Sequence, residues 1–180
     1  MTEKLFYFLE PLQIRPITGF FEFITFEGLA IFLISWAIFW LIKKDYRKFV
    51  LFLGILLTAW IGAETLKRIF DVPRPPFGLL PNPQSASFPS GHAAIAFALW
   101  PMAGFLSSGK KWLLRSILLL FPMSRIFLGF HYLVDIAAGI FLGLAVGYFL
   151  VGYDEEKGWT DWLVKKCQKE LEFRRQIAHL

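Results

Sequence analysis

The chain has a single cysteine, Cys167, which excludes an internal disulfide. It has three histidines, and no His, Cys, Asp and Glu residues fall at metal-ligand spacing, so no bound metal and no cofactor is expected. The N-terminus lacks the unbroken apolar run of a cleavable signal, because Glu3, Glu10 and Pro11 interrupt it. No internal repeat or low-complexity tract stands out. Charge is scarce as well: 18% of the 180 residues are charged, against 56% hydrophobic. With a mean hydropathy of +0.53, a domain this small could not hide its apolar surface from water, so a membrane is the expected solvent. Aromatic residues make up 18%, which suits interfacial belts and acyl-chain contacts. The formal charge of +5 matters less than its placement, and no nucleic-acid partner is expected. The oligomeric state is left open.

Five apolar stretches read as membrane helices, at about Ile17–Ile42, Phe49–Phe70, Ser90–Leu106, Trp112–Phe130 and Tyr132–Val151. Residues 1–16 are too short and broken to span. They read as an interfacial segment carrying Leu5, Phe6, Phe8, Leu9 and Leu12. The fold expected is all-α: a polytopic membrane helical bundle of five transmembrane helices, with six as the alternative count. It forms one domain, with a bundle over 17–152 and an amphipathic tail over 153–180. Basic residues cluster in three places: Lys43–Lys48, Lys110–Arg115 and the tail from Lys157 to Arg175. Five spans put all three on one side, which the positive-inside rule makes cytoplasmic. The Pro-rich loop around residues 73–89 then faces outward.

Six cations remain outside those clusters: Lys4, Arg15, Lys67, Arg68, Arg74 and Arg125. Arg68 reads as an interfacial snorkelling residue. His92 and His131 lie at the same membrane level as most of the others, and Asp135 follows His131 by one helical turn. Ionisable groups at apolar depth are costly, so their convergence points to function. Glu64 precedes Lys67 by three residues and can pair with it on one helix face.

Three segments carry this pattern. They are Lys67-Arg-Ile-Phe-Asp-Val-Pro-Arg74-Pro75, Pro89-Ser90-Gly91-His92, and Ser124-Arg125-Ile-Phe-Leu-Gly-Phe-His131-Tyr-Leu-Val-Asp135. Together they resemble the three-part signature of the type-2 phosphatidic acid phosphatase superfamily, with every specified position filled in order. Many members have six spans, whereas here the first is reduced to a surface segment.

The resemblance implies a lipid phosphatase that works without a metal through a phosphohistidine. A phosphoryl group in transfer spreads negative charge over its equatorial oxygens. Lys67, Arg74 and Arg125 would neutralise it, the arginines bidentately. Ser90 and Gly91 open a helix, so their backbone N–H groups would point at the anion. His131 would be the nucleophile. Asp135 would fix its tautomer, and His92 would serve as acid and base. Ser124 is a secondary candidate that can instead bond within its own helix. The resemblance further implies a lipid phosphate substrate at the periplasmic face of a bacterial inner membrane. Lipid A 1-phosphate and undecaprenyl diphosphate come first, with phosphatidylglycerol phosphate or phosphatidic acid as alternatives. Two other readings compete. Vanadium haloperoxidases have a similar pocket but are soluble. A lipid-phosphate binder or transporter would explain the cations but not an Asp-supported histidine facing a second one.

Overall fold

The computed structural model describes residues 2–81 and 83–178, and among these the secondary structure is helical. Helix α1 (Thr2–Phe8) and a short 3-10 turn lead into α2 (Arg15–Phe23). A π turn, Ile24–Gly28, joins α2 to α3 (Leu29–Ile42). After a short loop come α4 (Tyr46–Phe70), α5 (Gly91–Ala98), α6 (Ser108–Phe127), α7 (Leu133–Lys157) and α8 (Trp159–Ala178). Among the described residues, three helical stretches are long and apolar enough to cross a membrane: Arg15–Ile42, Tyr46–Phe70 and Leu133–Lys157.

The third apolar stretch differs from its expectation. Instead of one helix from Ser90 to Leu106, α5 stops at Ala98 and a 3-10 turn follows over Pro101–Phe105. Pro101 has no N–H for the helical ladder and its ring crowds the preceding turn. The α6 segment is long enough to span, but Lys110, Lys111, Arg115 and Arg125 fall within it.

Close packing of α5 on α7 determines where the site forms. Gly139, Gly143 and Gly147 lie four residues apart, on one face of α7. A Cβ on any of them would collide with α5 backbone at Ser90, Ala94 or Ala98. In return α5 offers the small, buried Ala93, Ala94, Ala96 and Ala98. Small residues let helix backbones approach where lipid provides no hydrophobic drive. This seam ends with the Ser90 N–H donating to the Asp135 carbonyl at 3.0 Å. The start of α5 is thereby fixed beside the start of α7.

The basic segments gather at the opposite end. Arg47 donates to Asp154 at 3.0 Å, and Asp154 also accepts from the backbone and hydroxyl of Thr160. Lys48 stands over the rings of Trp40 and Phe105. Gly158, in the left-handed conformation at φ 60°, ends α7 and lets α8 turn back. Trp159 then packs on Gly54. The expected surface tail falls largely on α8, and residues 179–180 lie outside the described residues.

Residues 2–16 pack against the rest of the protein. Phe6 turns inward, with its ring 5.2 Å from that of Phe77. Leu9 packs on the Phe127–Leu128–Phe130 cluster, and Thr2 accepts a hydrogen bond from the Leu133 N–H at 3.1 Å. Phe8 and Leu12 remain exposed. The segment therefore braces the turn between α6 and α7.

Candidate active site

Lys67 stands in the last turn of α4, with its Nζ 2.7 Å from Glu64. The helix ends at Asp71, which takes the left-handed conformation at φ 41°. The chain then runs into the Pro-rich loop, where Ser87 ties it down. The Ser87 N–H donates to the Val72 carbonyl at 2.8 Å, and its hydroxyl donates to the Pro73 carbonyl at 3.1 Å. Arg74 is consequently held in one orientation. It donates to the Ser85 carbonyl at 2.8 Å, to the Ser85 hydroxyl at 3.0 Å and to the Phe130 carbonyl at 2.9 Å.

Ser90 begins α5 as its N-cap, with its side chain accepting from the Ala93 N–H. Gly91 follows, and a Cβ there would point at Lys67 Nζ from 3.5 Å. A side chain would fill the space in front of the helix N-terminus, where backbone N–H groups favour an anion. Arg125, only 4% exposed, stacks its guanidinium 4.3 Å from the centre of the Phe130 ring. Its Nε has no hydrogen-bond partner among the described residues.

His131 is 2% exposed and Asp135 fully buried. His131 Nε2 stands 3.3 Å from Arg74 Nη1. Nδ1 stands 3.4 Å from the Asp135 carboxylate. That is long for a hydrogen bond, and Nδ1 has no closer partner among the described residues; such pairs often tighten only when substrate binds. Asp135 also accepts from the Tyr132 N–H at 2.8 Å, which fixes the carboxylate at the start of α7. His131 occupies the turn between α6 and α7. Burial there holds its imidazole below the ordinary value, against an opposing pull from Asp135. Burial also lowers Arg74.

These groups converge on one cavity of about 430 Å³. Lys67, Arg74, Gly91, His92, Arg125 and His131 are in its lining. Phe26, Leu29, Ala30 and Leu33 line it too. His92 Nε2 is 2.9 Å from the carbonyl of Thr25, in the π turn. Ser90 and Asp135 stand just behind the lining, joined backbone to backbone. Ser124 does not reach the cavity. It is fully buried, accepts from Thr25 Oγ1 at 2.7 Å and donates to the Phe121 carbonyl at 2.8 Å within its own helix.

The match to a family model covers residues 47–159, the stretch that carries all three motif segments and most of this cavity. The chain belongs to the PAP2 superfamily. Among its PAP2 relatives is the undecaprenyl-diphosphatase of Sulfolobus acidocaldarius, 31% identical over 157 residues, covering 82% of this chain and 76% of that one. Phosphatidylglycerophosphatase B of Bacillus subtilis is 32% identical over 119 residues, covering 57% of this chain. The match spans 59% of that relative's own length. Among solved structures, LpxE of Aquifex aeolicus superposes with a TM-score of 0.73 at 24% identity. That match covers 83% of this chain and 94% of the other, and it establishes a shared fold.

Besides the apolar lining, Thr25, Ser85 and Phe130 have roles that the motifs do not announce. Thr25 contributes through a main-chain carbonyl. Ser85 anchors Arg74 from inside the Pro-rich loop. Phe130 both supports the Arg125 guanidinium and accepts from Arg74. Only Phe130 carried a usable signal, as an aromatic residue between the motif arginine and the motif histidine.

Proposed function

We propose that this chain is a membrane lipid phosphatase that transfers a phosphoryl group through His131 to water without a metal. The observation that carries the reading is the mixed lining of the cavity. Cationic and histidine side chains share that lining with the apolar Phe26, Leu29, Ala30 and Leu33. A molecule with a phosphate at one end and hydrocarbon at the other matches both.

Lys67, Arg74 and Arg125 hold the phosphate oxygens, together with the backbone N–H groups at Ser90 and Gly91. His131 Nε2 attacks phosphorus as the bond to the lipid oxygen breaks, and His92 gives that oxygen a proton. Asp135 stabilises the charge that develops on the His131 ring. Water then attacks the phosphohistidine and gives a proton to His92. The P–N bond breaks and inorganic phosphate leaves.

The finer reading is a single domain of five membrane-spanning helices in a bacterial inner membrane, with the basic end cytoplasmic and the cavity facing the periplasm. The substrates are lipid A 1-phosphate and undecaprenyl diphosphate. The alternatives are phosphatidylglycerol phosphate and phosphatidic acid.

The test is phosphate release by purified protein in excess EDTA, with each of these four lipids and with p-nitrophenyl phosphate. Turnover of at least one lipid, lost in His131→Ala, is the expected result. Binding without turnover would make the protein a lipid-phosphate carrier. Activity that returns only with added Mg²⁺ or Zn²⁺ would overturn the metal-free mechanism.

A further inference from the structure

Residues 15–42 would form one unbroken helix but for the π turn at Ile24–Gly28. Single π turns within helices recur at functional sites, because they re-aim the backbone locally. Here the turn carries Thr25, 3% exposed, and Thr25 is bonded in two directions. Its carbonyl meets His92 Nε2 at 2.9 Å. Its hydroxyl donates to Ser124 at 2.7 Å, and Ser124 in turn donates to the Phe121 carbonyl. The side chain thus locks the π turn to α6 immediately beside Arg125. The main chain reaches across to α5 and holds the histidine.

A carbonyl can only accept, so Nε2 of His92 carries a proton in this contact. In the neutral ring the lone pair is therefore on Nδ1. We propose that Thr25 is the positioning residue for His92. Its carbonyl holds the Nε2–H tautomer and makes Nδ1 the atom that exchanges protons with the reacting oxygens. The proposal rests on the phosphatase reading above. In the first step Nδ1–H of the doubly protonated ring passes its proton to the leaving lipid oxygen, while Nε2–H stays on Thr25. In the second step Nδ1 takes a proton from the attacking water and the ring regains its positive charge. One nitrogen serves both steps, so the two ring nitrogens need not exchange roles.

Two measurements test it on the full chain in lipid nanodiscs. The first is ¹⁵N spectroscopy of the histidine rings, with the His92 signals assigned by their loss in His92→Gln. The neutral His92 ring is expected as the Nε2–H tautomer. A predominant Nδ1–H tautomer would overturn the proposal. The second compares Thr25→Val with Thr25→Ser through kcat/KM, which reports the phosphorylation step. A poor alkoxide leaving group needs the proton and a nitrophenolate does not. Thr25→Val should therefore lose about tenfold or more on an alkyl lipid phosphate and much less on p-nitrophenyl phosphate. Thr25→Ser, which keeps the hydroxyl, should restore the lipid rate. Equal losses on both substrates would mean that Thr25 only supports packing and would reject the assignment. If wild type turns over neither substrate, the phosphatase reading fails, while the ring spectrum still decides the tautomer.

Discussion

Arg74 Nη1 and His131 Nε2 stand 3.3 Å apart. A guanidinium has no acceptor, so the contact requires a lone pair on Nε2 and a neutral ring with its proton on Nδ1, toward Asp135. That lone pair is the one His131 would use to attack phosphorus, once a substrate phosphate replaces it as the partner of Arg74. Four further contacts fix Arg74 to the Pro-rich loop and to Phe130. A lysine could not reproduce that set, because an ammonium lacks the planar fork. Arg74→Lys is expected to lower kcat by on the order of 10²-fold, as for loss of one preorganised donor to a developing anion. Steady-state kinetics on p-nitrophenyl phosphate measure this. A change below threefold would mean that Arg74 serves the loop and not the phosphate.

The covalent step gives a second prediction. Wild type mixed rapidly with radiolabelled substrate and quenched should carry acid-labile, base-stable label, as a phosphohistidine does. His131→Ala should carry none, and His92→Ala should retain label longer because its hydrolysis step is slowed. Equal labelling of wild type and His131→Ala would force the two histidines to exchange roles.

The pH dependence follows from the burial of His131. Burial lowers its imidazole, Asp135 opposes that, and Arg125 and Arg74 add to the lowering. A nucleophile must be unprotonated, so the acid limb of kcat/KM that His131 sets should lie below the ordinary histidine value of about 6.5. Asp135→Asn removes the raising influence. Its limb should move to still lower pH, while the plateau rate falls by roughly 10²-fold or more as the tautomer is lost. Comparing the two proteins on one substrate cancels the ionisation of the phosphate. A shift of the limb to higher pH in Asp135→Asn would contradict the stated balance. Stability follows the same sign. Between the folded and unfolded values the unfolded chain binds more protons, so this contribution is complete above about pH 6.5 and is lost as pH falls toward the folded value.

Much of the site is legible in the chain because its spacing is local. Asp135 follows His131 by four residues, and Ser90, Gly91 and His92 are contiguous at a helix start. Lys67 and Arg74 flank the end of one helix, so their separation also encodes position. Thr25 is different. It meets His92 across 67 residues through a carbonyl that every residue possesses, and no side-chain pattern can announce that. The end of α5 at Ala98 was obscured by an apolar run that continues past Pro101. Phe6 read as a lipid contact because hydrophobicity alone does not say whether a residue meets lipid or protein. The glycines of α7 stand at a visible spacing of four, but their meaning depends on which helix faces them.

That glycine face yields the last prediction, which concerns how the two histidine-bearing segments stay in register. At Gly143 an added Cβ would meet the Ala94 carbonyl and, at 2.8 Å, the Ala98 nitrogen. Both are helix backbone and cannot swing aside as a flexible side chain would. At Gly152, further along the same helix, a Cβ would meet nothing within 4 Å. The two alanine substitutions are chemically identical, and each gains about 1 kcal/mol of helix propensity. Gly143→Ala should nonetheless be net destabilising, since overpacking costs about 1–3 kcal/mol or more where backbone must move. Gly152→Ala should match or exceed wild-type stability. The displaced α5 would also carry His92 and the Ser90–Gly91 N–H groups away from His131, so Gly143→Ala should lose activity at temperatures where it is still folded. Thermal unfolding in detergent, with phosphatase assays well below the transition, measures both effects. If the two variants behave alike, the α5–α7 seam does not set the geometry of the site.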